Sequence, residues 1–397
     1  MITNLARVGD ISDQIRGVSY GKSDAISNAE VGYLPVLRAG NITESGLAFD
    51  DLVYVPAVRV SARQRIRNGD VVIAASSGSL DVVGKAAMAR FDYDGGFGAF
   101  CKVLRPNTAK VDAAYFGHYF HTREYRQTIS SLAAGANINN LKNQHLDDLL
   151  IPLPPLPEQR RIAAILDQAD ILRAKRREAL AQLDKLQQAI FIETFGDPAT
   201  NPKGWPITTV GDLLKSASYG TSEKSASSGE FPVLRMNNIT RTGEFDLSDL
   251  KYMDLADSEH ERYLVKTGDV LFNRTNSAEL VGKTAIFREK IPMAYAGYLI
   301  RLRTNESNDP EYLSGFMNTA YAKRILRGMC KSIIGMANIN ATEVQSIKLA
   351  KPPLKLQTQY RQRIGALLQV KACYRASLTE LDSLFSSLQH RAFRGEL

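Results

Sequence analysis

Five blocks of this chain occur twice, in the same order, and that repetition limits the possible folds more than any other feature. The stretch LPVLRAGNIT (Leu34 to Thr43) returns as FPVLRMNNIT (Phe231 to Thr240), and VSYGKSD (Val18 to Asp24) as ASYGTSE (Ala217 to Glu223). NGDVVIAASSGSLDVVGKAA (Asn68 to Ala87) returns one residue shorter as TGDVLFNRTNSAELVGKTA (Thr267 to Ala285). GANIN (Gly135 to Asn139) matches MANIN (Met336 to Asn340), and IPLPPLPEQRRI (Ile151 to Ile162) is echoed by AKPPLKLQTQYRQRI (Ala350 to Ile364). The offset is about 200 positions and drifts by a few residues, so the repeated unit is a domain rather than a solenoid repeat.

Each copy begins with strand-rich, mixed structure. Short apolar runs, Val71 to Ala75 and Val270 to Phe272, follow Gly-Asp turns as strands do. Helical spacing of apolar and aromatic residues predicts short helices over Ala113 to Ser130 and Pro310 to Gly328. Each copy ends in a different kind of segment, a long one that follows a Pro-rich break, Pro152 to Pro157 or Pro352-Pro353, and holds no further proline. In the first, apolar or small residues fall at Ile162, Ile165, Ala169, Leu172, Ala179, Leu183 and Ile190. In the second, Ile364, Leu367, Lys371, Tyr374, Leu378, Leu381, Phe385, Leu388 and Ala392 alternate by three and four, a heptad seam. Two equivalent helices paired about a two-fold axis must run antiparallel. At about 39 residues each they would span roughly 55–60 Å, a molecular ruler. The expected fold is therefore α+β: strand-rich mixed domains at 1–156 and 197–355, and long helices at 157–196 and 356–397 forming an antiparallel coiled coil.

Familiar catalytic patterns are incomplete. Cys101, Cys330 and Cys373 are too far apart in sequence for a CxxC zinc site. His118 and His121 form an HxxH without supporting ligands, a pattern expected to serve packing or the surface. Gly282-Lys283-Thr284 resembles the end of a phosphate loop, but Ser277 stands where its first glycine belongs and the first copy reads Gly84-Lys85-Ala86. A strand or turn is expected there, and a hairpin turn for the glycine-rich Asp92 to Phe100. The pairs Pro154-Pro155 and Pro352-Pro353 lack the polar and aromatic neighbours of the DNA amino-methyltransferase motif. No catalytic role and no metal or cofactor site is expected on this chain.

What remains is polar loop sequence at matching positions. Ser19, Tyr20, Lys22 and Ser23 match Ser218, Tyr219, Thr221 and Ser222, with Lys224 nearby, and suit contacts to phosphates. Arg38 and Asn41 match Arg235 and Asn238; Lys85 and Lys283 follow the matched glycines. Beyond the Gly-Asp strand, Ser76, Ser77 and Ser79 lie against Asn273, Arg274, Asn276 and Ser277, and here the copies diverge. Asn pairs with adenine and Arg with guanine in the major groove, so divergent tips on one frame suit two different half-sites. The Asn-rich turns, Asn137, Asn139 and Asn140 against Asn338 and Asn340, are expected to cap or turn the chain. Lys+Arg of 50 against Asp+Glu of 42 gives net +8, a balance compatible with double-stranded DNA.

Domain, long helix, domain, long helix, with PVLR..NI, GDV, VGK and a PPLPEQ-type start to the helix, resembles the specificity subunits of type I restriction-modification systems over essentially the whole chain. The resemblance implies that each domain reads half of a bipartite DNA target and that the coiled coil sets the spacer. It also implies two methyltransferase subunits as partners, translocase-nuclease subunits in the full complex, and S-adenosylmethionine carried by the methyltransferase. With no apolar signal core and no run of membrane-spanning length, a cytoplasmic protein is expected. The competing expectation is a coiled-coil scaffold that bridges two partners without reading sequence. The copies also diverge at Pro157-Glu158-Gln159 against Lys355-Leu356-Gln357, which implies about four extra residues before Ile364 and leaves the helix register open.

Overall fold

The computed structural model describes residues 4–79, 81–133, 139–277, 279–333 and 336–397. It divides into two compact units, one of residues 1–177 with 376–397 and one of residues 178–375. Both long helices therefore contribute to both units.

Each unit is built on an antiparallel four-stranded sheet. In the first unit the order is Ser12–Arg16, Cys101–Pro106, Val71–Ala74, Ala86–Met88. In the second it is Leu214–Tyr219, Leu299–Thr304, Val270–Asn273, Thr284–Ile286. The strand after Gly-Asp is an unbroken apolar run because both its faces are covered. Val71 and Ile73 join the core shared with the helices, while Val72 and Ala74 face a smaller sheet. That smaller sheet includes Tyr33–Leu37 and Val53–Pro56, and its counterpart includes Phe231–Leu234 and Lys251–Met253. The glycine-rich Asp92 to Phe100 forms no hairpin: Gly96–Phe97 pairs in parallel with Tyr33–Leu37, a long-range pairing that local turn chemistry does not encode.

The repeated motifs are frame. Gly69 and Gly268 take left-handed φ of 88° and 94°, and the following aspartates are buried. Asp70 accepts from the Arg67 N–H and from Nε and Nη2 of Arg105 (2.8 and 2.7 Å); Asp269 repeats this with Lys266 and Arg303. In the VGK turns Gly84 and Gly282 also have positive φ, and a Cβ there would meet Ile129 at 2.0 Å or Leu326 at 2.6 Å. The sequence that looks like a phosphate loop is thus a tight turn into Thr284–Ile286.

The two expected short helices are each split, into Ala113–Tyr119 and Arg123–Ala133, and into Pro310–Met317 and Ala320–Met329. Thr122 and Thr319 cause the break. Each hydroxyl accepts the N–H three residues on, at 3.1 Å, and so starts a new helix. Asn340 caps a short helix, Ala341–Gln345, in a capping box with Glu343. Asn139–Asn140 is instead a strand beside Ser76–Ser77, and Asn137 lies outside the described residues.

The long helices run Leu156–Phe195 and Leu354–Ala392. Within each unit they pair antiparallel. In the first, Arg173 Nε donates to Asp382 at 2.6 Å. In the second, Arg363 donates to Glu193 at 2.6 Å, and Lys371 is buried between Asp184 and Glu244. The seam of the second helix matches the expected positions. The first differs: Leu166 and Arg173 lie inward while Leu172 is exposed, since the seam follows the partner helix rather than apolarity alone. The helix register is also settled. Gln159 and Gln357 occupy the same position in their helices, each accepting one N–H (from Asp112 or Asp309, 2.8 Å) and donating to a proline carbonyl. The apparent insertion before Ile364 is absent; Tyr360 takes the place of Ile162, and Ile364 that of Leu166, in the two cores.

Candidate nucleic-acid interface

At one end of each central sheet, the strand following Gly-Asp runs out into a short second ladder. In the second unit Thr275–Asn276 pairs with Met336–Asn338, and in the first Ser76–Ser77 pairs with Asn139–Asn140. The two frames superpose bond for bond. The Arg274 N–H donates to the Tyr298 carbonyl (3.0 Å) and its carbonyl accepts from Ile339 (2.9 Å). The Ala75 N–H donates to the Phe100 carbonyl (2.8 Å) and its carbonyl accepts from Leu141 (2.8 Å). Arg274 therefore stands where the first unit has the buried Ala75.

Strand register corrects a second pairing. Tyr20 and Tyr219 match in sequence, but Tyr219 lies opposite Ile300 and Arg16 opposite Lys102, at the same step of the ladder. Arg16 thus takes the place of Tyr219. In the second unit the Arg274 guanidinium lies over the Tyr219 ring, 4.9 Å from its centroid. The Tyr219 hydroxyl accepts from the Ala341 N–H at 2.9 Å, which fixes the ring. Exposed Tyr298, Ser277 and Lys224 and half-buried Asn276 belong to the same loops.

In the first unit the equivalent rim is a cleft lined by Arg16, Ser19, Lys102, Asn140, Lys142 and Asn143. Lys102 donates to the Leu141 carbonyl (2.6 Å) and to Asn143 Oδ1 (2.9 Å). Burial, with Arg16 adding to it, lowers its pKa to about 8. Phe100 is exposed, as are Lys22, Ser23 and Ser79. Tyr20 is half-buried with its hydroxyl close to Gly98, and its pKa is raised by burial. The cations Arg16, Lys102 and Lys142 and the aromatics Phe100 and Tyr298 are not apparent from sequence, because only strand pairing brings them to the rim.

Several sequence candidates belong to the frame instead. Asn41 and Asn238 are buried; each Oδ1 accepts the N–H of the preceding arginine, Arg38 or Arg235, at 2.8 and 2.9 Å. Those arginines in turn clamp Asp51 and Asp249 through both carbonyl and carboxylate. A base contact from either asparagine is ruled out by burial. Lys283 is tied to the carbonyls of Met236 and Ile239, and its pKa is lowered by burial and by Arg241. Lys85 lines a cavity beside Thr43, Glu44 and Arg177, away from the cleft of Arg16 and Lys102. Thr221 and Asn273 are buried. His118 packs inward, its Nε2 3.0 Å from Asp167 Oδ1.

No helix among the described residues is long and apolar enough to cross a membrane. The family model of the type I restriction modification DNA specificity domain matches twice, at residues 4–182 and 202–370. The chain is 33% identical to the type I restriction enzyme EcoKI specificity subunit of Escherichia coli (strain K12), over 99% of this chain and 89% of that one. It is 32% identical to the StySPI specificity subunit of Salmonella potsdam, over 99% and 88%. In fold it is similar to the type I restriction-modification S subunit from M. genitalium, with a TM-score of 0.56, 15% identity and coverage of 99% and 96%. Two copies of the domain, full-length relatives and a shared fold agree: this chain belongs to the family of type I restriction-modification specificity subunits, which carry no catalytic centre of their own.

Proposed function

We propose that this chain is the DNA-recognition subunit of a type I restriction-modification complex, each unit reading one half of a bipartite duplex target across a spacer set by the helix pair. One observation carries the reading: matching strand ladders hold different side chains at the same positions near the rim, Arg16 and the buried Ala75 in one unit, Tyr219 and Arg274 in the other. Contacts to phosphate position a protein, whereas contacts to base edges specify sequence. A shared frame with divergent tips divides those two tasks.

Two copies of a methyltransferase subunit are the proposed partners, with S-adenosylmethionine bound by them, and translocase-nuclease subunits complete the restriction complex. Support comes from exposed apolar positions that recur on the helices. Leu172 (51% exposed) and Val370 (44%) occupy the same place in the two helices, as do Leu186 (45%) and Leu384 (51%). Each unit thus carries one such position from each helix, which suits two copies of one partner.

Mapping modified bases in cells that express this chain with its cognate methyltransferase tests the reading. The expected result is methylation within a two-part motif with a fixed gap. Methylation by an assembled complex without such a motif would leave the chain a scaffold.

A further inference from the structure

We infer that Arg274 reads a guanine in the half-site engaged by the second unit, with Tyr219 as its positioning residue; the inference rests on the DNA-recognition reading above. A guanidinium offers five donors in one plane. Among the described residues Arg274 uses few of them: its buried Nε has no partner there, and one terminal nitrogen reaches only the Gly297 carbonyl, at 3.5 Å. The Tyr219 ring lies beneath the guanidinium carbon and so confines the group on one side, and the Tyr219 hydroxyl is itself held by Ala341. The result is an oriented, under-satisfied guanidinium beside exposed Tyr298 and Ser277. Its chemical complement is a pair of acceptors in one plane.

Guanine O6 and N7 in the major groove are such a pair, and so are two oxygens of a phosphate. The duplication favours the base. A phosphate contact is independent of sequence and useful to both half-sites, so it belongs at a position the two frames share. Arg274 is instead unique to the second frame, where the first holds a buried alanine, and Tyr219 replaces Arg16 beside it. Both members of the stack are changes specific to one unit. The first unit offers no equivalent stack, so this mode of guanine readout belongs to the second half-site alone.

The test uses the chain assembled with its methyltransferase subunits and competition binding, at fixed salt, to duplexes substituted one base pair at a time through both half-sites. The unaltered complex is expected to lose affinity roughly tenfold or more when one particular G·C pair of the second half-site is replaced. Arg274→Ala should erase that preference while every other position, and the whole first half-site, keeps its own. Arg274→Lys, which retains a donor to guanine, should keep the preference at a smaller ratio, and Tyr219→Phe should keep it while Tyr219→Leu weakens it at the same base pair. The undisturbed remaining positions of the second half-site report that the second unit of each variant is folded. A loss uniform across all sequences, with a shallower salt dependence, would make Arg274 a phosphate contact and overturn the inference while leaving the recognition reading intact. Preserved discrimination at every G·C pair in Arg274→Ala would overturn it as well. A complex with no base preference in either half would instead overturn the recognition reading itself.

Discussion

Asn41 and Asn238 show how a repeated polar residue can belong to the frame rather than to the reading surface. Each caps the turn after an inner strand of the smaller sheet, and each also donates from Nδ2 to a backbone carbonyl, that of Asp50 or of Asp246 and Asp249. Removing the side chain leaves an N–H and carbonyls unsatisfied in a buried place. Asn41→Ala should therefore cost about 2 kcal/mol of stability, visible as a lower denaturant midpoint, while the methylated motif stays unchanged. A changed base preference in the first half-site would return Asn41 to the DNA contacts. The same logic explains what the sequence conceals at this scale. Identity between copies marks Asp70, Gly84, Asn41 and Gln159, whose roles are buried turns, caps and pairs. Readout residues are marked by difference, and difference alone does not distinguish a reading tip from a drifting loop.

Among the elements, the long helices were the most legible and the strand ends the least. A three-four seam is a local pattern and was visible in the second helix from Ile364 to Ala392, including the charged Lys371. Register between strands is set by partners far along the chain, so matching Tyr20 to Tyr219 followed local identity while the ladder matched Arg16 instead. Lys371 also predicts a pH response. Burial pushes the Glu244 carboxyl up, but hydrogen bonds and charge from Arg375 and Lys371 outweigh it and hold it below the ordinary glutamate range. A carboxylate with a depressed folded pKa stabilises fully above its unfolded value of about 4.3, and that contribution fades as pH falls through the folded value. Glu244→Gln should thus be less stable than the parent at neutral pH, and the gap should close in acid unfolding below about pH 4. A gap independent of pH would assign the loss to packing. At the exposed positions proposed to hold the partner, Leu172→Glu combined with Leu384→Glu should remove one methyltransferase copy, read as a one-to-one complex by native mass measurement. Retention of both copies would place the partner elsewhere on the helices.

For the chain as a whole, the proposed reading assigns the two reading surfaces to the duplication and the distance between the sequences read to the helices. The ion pairs along the helices allow that distance to be tested while each unit keeps one helix-to-helix pair, although Arg177, which also meets Asp382, and Arg375, which meets Glu244, are removed. Arg173 pairs with Asp382 in the first unit, and Lys371 with Asp184 in the second. Deleting residues 174–180 from the first helix and 372–378 from the second leaves both pairs in place, because the deletions fall between them on both strands of the antiparallel pair. Seven residues make two helical turns to within about 20°, so the seam continues on nearly the same face. Each helix loses about 10 Å. Both half-site sequences should therefore persist in the methylated motif while the gap between them shortens, since the bases are chosen at the rims and the spacing along the helices. Mapping modified bases for the doubly shortened chain reads both properties at once. An unaltered gap would mean that the spacing is fixed by the partner subunits, and the helix pair would then serve as a docking surface without measuring anything.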